Sequence, residues 1–324
     1  MEIEKGEHHR FAPLEQWREQ QQTVSDELNA LAQRHADRSN GKLTALPIDH
    51  DIHPAQRITT QSIDGTPTNI ENMIAIAKAV NSENPERFLN ILEEFNQEEH
   101  ERDLVTYLGE DLLSKQNIIV MTNHSEIQDI AEALVACHIA IKTIGQNRNR
   151  DYQFSTNIIL SKMIAHLGYS GIPAVDILTQ MCDKQYFSFP KTDSIRGTNI
   201  PEKLVSAYNW SLRQRIKARL KAGGNLFGIA PSGTVDKSVV PGDLDSSTLA
   251  PVTRGTIEIL TSDNTKILPI AIHKPDDEFI FEILGTPRHM RNEHDVHETM
   301  ESIADVLSSR SAYKSFSYRR PESS

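Results

Sequence analysis

The chain is poor in cysteine: Cys137 and Cys182 are too few for a disulfide framework and do not form a metal-type pair. Both read as buried, reduced thiols. Long apolar runs are absent too, and none approaches the roughly 20 residues that a bilayer-spanning helix requires. With 38% hydrophobic residues the chain reads as soluble. The opening stretch, MEIEKGEHHRFAPLEQWREQ, has neither the apolar core of a signal peptide nor the acid-poor composition of a transit peptide. A cytoplasmic location is the expectation. Excess positive charge is missing as well, since the net charge is −11 and residues 1–115 hold 22 Asp+Glu against 11 Lys+Arg. From totals of 45 and 34, that leaves 23 of each sign in residues 116–324. This balance argues against general nucleic-acid binding, so an anionic ligand must rely on local basic clusters.

What is present divides into two regions. Residues 14–38, 70–80, 85–95 and 103–114 show helical periodicity, and none of them reads as a strand. The stretch 41–68 is polar and turn-rich and reads as a long connection. Residues 1–115 are therefore expected to form an acidic helical domain or cap. From residue 117 short apolar runs alternate with helical patterns, as in a sheet with crossover helices. Expected strands are 118–122, 154–160, 186–189, 226–229, 267–272 and 279–283; expected helices are 126–143, 161–167, 201–221, 247–260 and 294–308. Gly223-Gly224 closes the helix 201–221. The expected architecture over residues 116–324 is an α/β domain with a mixed or mostly parallel central sheet flanked by helices.

The sharpest local signal is NIIVMTNHSEIQD, where a strand runs into a helix with His124 and Asp129 at the junction. Ser125 and Gln128 have capping-box spacing, which makes Ser125 the N-cap and puts Asp129 in the first turn. His124 then lies at the strand's carboxyl end, where open α/β sheets carry their sites. A carboxylate one turn on can orient the imidazole and stabilise its cation, leaving the other ring nitrogen to take a proton from a hydroxyl. The plainer alternative is a histidine packed at a strand end and an aspartate favouring the helix dipole.

A second signal, KAGGNLFGIAPSGTVDK, reads as a helix end, a tight turn, a buried strand and a Pro-Ser-Gly loop. Such a loop can present backbone N–H groups and the Ser232 hydroxyl to an anion or developing oxyanion. It can equally be an ordinary turn.

Together these segments resemble the glycerolipid acyltransferase superfamily, in particular its soluble chloroplast-type glycerol-3-phosphate acyltransferases. Asn123 to Asp129 matches the family's NHxxxxD block. Lys221 to Lys237 looks like its RGGSQIIWIAPSGGRDR segment, Leu244-Asp245-Ser246-Ser247 like its FDASS, and Ile267 to Ala271 like its IxPLA block, all in order over about residues 110–285. The resemblance implies His124 as general base, Asp129 as its orienter, and Ser232-Gly233 beside the reacting centre. The acceptor blocks depart from the plastid type. Phe189-Pro190-Lys191-Thr192 stands where that type has a Lys-His pair, and Val235 and Lys237 stand where it has two arginines. Lys191, Arg196 and Lys237 are the residues left to hold an acceptor phosphate. By the same resemblance, a plastid stromal location is expected where a transit peptide has been removed.

The implied activity is transfer of a fatty acyl group from acyl-CoA or acyl carrier protein to the hydroxyl of glycerol 3-phosphate or a related phosphorylated acceptor, with no metal or redox cofactor. Two rivals belong to other classes: a serine hydrolase or thioesterase using Ser232 activated by His124, and a non-catalytic lipid-binding protein. Ala230-Pro231-Ser232-Gly233-Thr234 is not the Gly-x-Ser-x-Gly elbow, which weighs against the first. The basic run Arg213, Arg215, Lys217, Arg219, Lys221 can dock an acidic carrier protein or anionic lipid headgroups at a membrane surface, or be a solvated helix face. His294 and His297 lack a third metal ligand and read as a surface helix. His273 reads as a strand-end residue, and His8 and His9 as part of a terminus.

Overall fold

A computed structural model of the chain describes residues 14–38, 43–46, 62–64, 86–96, 101–124, 129–169, 172–189, 199–233, 237–238, 246–273, 279–312 and 314–321. In chain order the helices are α1 (Leu14–Arg38), α2 (Glu86–Asn96), α3 (Glu101–Leu113), α4 (Asp129–Asn147), α5 (Ala174–Met181), α6 (Glu202–Ala222), α7 (Arg254–Leu260) and α8 (Glu293–Arg310). The strands are β1 (Thr44–Ala45), β2 (Ser62–Asp64), β3 (Asn117–Thr122), β4 (Ser155–Ser161), β5 (Leu167–Tyr169), β6 (Ile172–Pro173), β7 (Lys184–Ser188), β8 (Asn225–Ile229), β9 (Lys237–Ser238), β10 (Ser246–Leu249), β11 (Thr265–His273), β12 (Ile280–Ile283) and β13 (Ser315–Tyr318). The α/β architecture with a mostly parallel mixed sheet is the one expected.

Among the described residues, seven strands make the main sheet in the order β12-β11-β3-β8-β4-β7-β2. The five from β11 to β7 run parallel, and each edge strand is antiparallel to its neighbour. Every residue of β3 and β8 is buried, because parallel strands with helices on both faces have no solvent side. Two small sheets, β1-β5-β6 and β13-β10-β9, lie beside the main one.

α4 is apolar nearly all round and is buried on nearly all sides. It lies against β3 and β8 with one flank and carries α2 and α3 on the other. The core on this face takes in Leu28 of α1, Phe88 and Ile91 of α2, Leu108 and Leu112 of α3, and Leu134 and Ile141 of α4. The described helices of the acidic N-terminal region thus share a core with the sheet. The opposite face is covered by α6, α7 and α8 through Leu212, Ile216, Leu260, Met300 and Leu307. A further tie joins α3 to β11, where Lys266 Nζ donates to both oxygens of Asp111 at 2.9 and 2.8 Å with both side chains largely shielded.

Several elements depart from expectation. The stretch 41–68, read as connection, supplies β1 and β2, and β2 closes one edge of the main sheet. The helix expected over 247–260 is a strand, β10, followed by a short helix. Pro251 cannot donate to a helical ladder, and Thr253 caps α7 by accepting from Thr256 N at 3.1 Å. Residues 161–167 form a 3-10 turn over Lys162–His166 before β5. The helix expected over 70–80 lies outside the described residues.

One buried contact sets a pH dependence. His138, inside α4, has Nδ1 2.6 Å from Thr156 Oγ1 of β4 and packs edge-on to Phe154. Burial, with a smaller contribution from the nearby Lys142 charge, pushes its pKa down from 6.5 to about 4. The folded protein therefore binds this proton less readily than the unfolded chain. The stability associated with the neutral ring is complete above pH 6.5, falls as pH drops toward 4, and levels off below that. Urea denaturation of wild type and His138→Gln should show an extra loss in wild type of about 2–3 kcal/mol between pH 7 and 4.5. Parallel pH profiles would remove His138 as the cause.

Candidate active site

The order of the parallel strands fixes where a site can form. From β3 the chain crosses through α4 to β4 on one side, whereas from β8 it passes through α7 to β11 on the other. β3 and β8 are adjacent, so the connections leaving their carboxyl ends diverge onto opposite faces and open a crevice there. His124 and the Pro231-Ser232-Gly233 turn lie at that opening.

Register refines the placement. Met121 of β3 pairs with Ile229 of β8, and Ile158 of β4 with Gly228. Ser161 of β4 pairs with Ser188 of β7, and Thr122 of β3 with Ile270 of β11. Just past these carboxyl ends lie His124 after β3, the Pro231-Ser232-Gly233 turn after β8, Lys162 after β4 and Phe189 after β7.

His124 is half-buried, and the residue before it fixes its backbone. The Asn123 carboxamide accepts from Ile272 N at 2.9 Å and donates to Ile272 O at 2.8 Å. A side chain thus extends the β3-β11 ladder beyond its last paired residues, Thr122 and Ile270. Asp129 is the first residue of α4 and fully buried, where the positive end of the helix favours a carboxylate. Glu132, one turn on, is buried as well. Residues 125–128, including the capping-box pair Ser125 and Gln128, lie outside the described residues.

Asp129 is held close to the sheet because β8 carries glycine at 228. A Cβ there would lie 3.0 Å from Leu134 Cδ2 and 3.2 Å from Ile130 Cγ1, so a larger residue would push α4 outward. The loop after β8 differs from the expected open cradle. Ser232 is buried rather than presented to solvent, and the Gly233 N–H is committed to Ala230 O at 3.0 Å in a tight turn. Gly233 adopts φ +64°, a conformation that favours glycine.

Of the expected phosphate-binding residues, Lys191 and Arg196 lie outside the described residues, and Lys237 belongs to β9 beside β10 in a small sheet. Sequence reasoning passed over Lys162, which is 3% exposed, with its ammonium 4.1 Å from the Tyr208 ring centre and 4.7 Å from that of Phe189. Asn209 braces this corner by accepting from Phe189 N at 2.9 Å and donating to Phe189 O at 3.2 Å.

The basic run on α6 divides. Lys217 reaches Glu258 of α7 at 3.0 Å and Arg213 approaches it at 3.9 Å, while Arg215 and Lys221 face solvent. His297 has Nδ1 2.7 Å from Tyr318 Oη and Nε2 3.2 Å from Glu293, and His294 pairs with Glu298. His297 therefore belongs to the packing of α8, while His294 lies on its exposed side. His273 stacks edge-on against Phe316 at the end of β11. No described helix is long and apolar enough to cross a membrane. No protein-family model matches the chain, and no curated protein is significantly similar to it.

The Asn123 clamp yields a stability test. Asn123→Ala would leave the Ile272 N–H and C=O without these bonds in a buried setting, at a cost of about 2–4 kcal/mol. Urea denaturation should show that loss, and Asn123→Asp, which has no donor for Ile272 O, should also destabilise. Unchanged midpoints in both variants would mean that the clamp does not hold the strand end.

Proposed function

We propose that the protein is an acyltransferase that moves an acyl group from a thioester to a hydroxyl of a phosphorylated acceptor such as glycerol 3-phosphate. The observation that carries this reading is His124 at the crevice between diverging strands β3 and β8, with buried Asp129 opening the next helix. A site that needs a base and an orienting carboxylate would draw them from the end of β3 and the start of α4. The ordered likeness of residues 110–285 to the glycerolipid acyltransferase blocks supports the same chemistry.

In this mechanism His124 takes the proton from the acceptor hydroxyl as its oxygen attacks the thioester carbonyl. Asp129 holds the imidazole and offsets its positive charge. The tetrahedral intermediate collapses by breaking the C–S bond, and the thiolate leaves with the proton from His124. The ester and free thiol are the products, and no acyl-enzyme forms.

Ser232 follows the end of β8 as His124 follows the end of the adjacent β3, which is the one observation that favours a hydrolase with Ser232 as nucleophile. Mass spectrometry after incubation with thioester separates the two readings, because only the hydrolase leaves acyl on Ser232. For the acyltransferase, thiol release should require an acceptor. His124→Ala should lower turnover by about 10² to 10⁴. Asp129→Asn should slow it with the fold retained. Near wild-type turnover in purified His124→Ala would sink the assignment.

A further inference from the structure

Outside the His124-Asp129 pair, the carboxyl edge holds a second arrangement of polar groups whose chemistry is unspent. Lys162 follows the end of β4 and is almost wholly enclosed, yet no carboxylate among the described residues pairs with its ammonium. Its contacts are the faces of Phe189 and Tyr208, which attract a cation without accepting a full hydrogen bond. The Tyr208 hydroxyl beside it is buried and has no hydrogen-bond partner among the described residues. An ammonium over the Tyr208 ring and the hydroxyl of that ring thus both lack an acceptor among the described residues.

Leaving both groups in that state is costly. A buried cation and a buried hydroxyl that find no acceptor among the described residues each oppose folding, and burial alone pushes the Lys162 pKa down from 10.5 to about 7. The corner is nevertheless rigid, because the Asn209 clamp ties α6 to the end of β7 and fixes Tyr208 over Lys162. The ligand chemistry that would satisfy both donors is an anionic oxygen. Lys162 follows the carboxyl end of β4 as His124 follows that of β3, with β8 between the two strands. Two strand spacings, roughly 10 Å, separate β3 from β4, a span that two side chains and a short polyol phosphate can fill.

We infer that Lys162 and Tyr208 form the anion subsite of the acceptor, holding its phosphoryl group while its hydroxyl lies at His124. This rests on the acyl-transfer reading for the role of the bound molecule, whereas anion binding itself can be measured without turnover. The residues assigned to phosphate from the sequence, Lys191, Arg196 and Lys237, are different ones.

The test is calorimetric titration of the full chain with glycerol 3-phosphate, inorganic phosphate and glycerol. Wild type should bind the two phosphates and not glycerol. Lys162→Met should weaken both phosphates by about 10- to 100-fold, the range for a charge-assisted hydrogen bond. Tyr208→Phe should weaken them several-fold. Melting of Lys162→Met should be unchanged or higher, because the variant removes an unpaired buried charge and keeps an apolar chain against the two rings. A purely structural lysine would instead give a lower melting temperature and unaltered phosphate affinity, which overturns the inference. Absence of phosphate binding by wild type overturns it as well. His124→Ala should retain phosphate affinity, so lost turnover bears on the acyl-transfer reading and lost anion affinity on this one.

Discussion

Burial of α4 on two sides is the constraint on which the rest of the structure depends. One flank meets β3 and β8 so closely that a Cβ at Gly228 would crowd Leu134 and Ile130 of the helix, and the other is covered by α2 and α3. A helix in that position must be apolar around its circumference, as the run from Ile130 to Ile141 is. Its polar first turn is the exception, and that turn is where the candidate chemistry gathers. Asp129 and Glu132 enter the interior because the packed helix carries them there. The acidic N-terminal region has the complementary task, since α2 and α3 cover apolar surface that a bare α/β sheet would expose.

The two edges of the sheet spend their polar groups differently. At the amino edge, Asn117 donates to Leu220 O at 2.7 Å, and Asn225 donates to Asn117 Oδ1 at 2.9 Å and to Gly223 O at 3.0 Å. Asn157 of β4 likewise donates to Ser155 O at 2.8 Å. These amides tie strand beginnings to neighbouring turns and leave little donor capacity for a ligand. At the carboxyl edge, Asn123 and Asn209 do the same work for β3 and β7, but between them stand His124 and Lys162. The clamps thus fix the frame in which His124 and Lys162 stand.

How much of this was legible in the sequence follows from what each feature depends on. Strands β3, β8 and β11 were readable because burial on both faces demands a continuous apolar run, and such runs are visible without knowing the neighbours. β10 was misread as helix because its residues Ser246–Leu249 are short and mixed in character, and their pairing with β13 joins residues 69 positions apart. β2 was hidden for the same reason, since only its partner β7 makes a strand of Ser62–Asp64. His124 and Asp129 were found because both lie within one local motif. The roles of Asn123, Lys162 and Tyr208 arise from cross-strand register and from a helix that returns over the sheet, which no local spacing encodes.

The proposed Lys162 subsite also bears on what composition says about binding. The chain is acidic overall, and its densest basic run, on α6, partly turns inward to Glu258. Exposed cations of that kind are hydrated and screened, so each contributes little to holding a small anion. A single ammonium enclosed by two aromatic rings is in the opposite regime, because low polarisability around it strengthens its attraction to any anion that enters. The same surroundings make an uncompensated charge there unfavourable, and that penalty has to be met by packing elsewhere in the protein. The large apolar cores on both faces of the sheet supply such packing. The proposed recognition of a phosphorylated acceptor by an acidic protein is therefore physically consistent, provided the charge that does it is enclosed instead of spread over the surface.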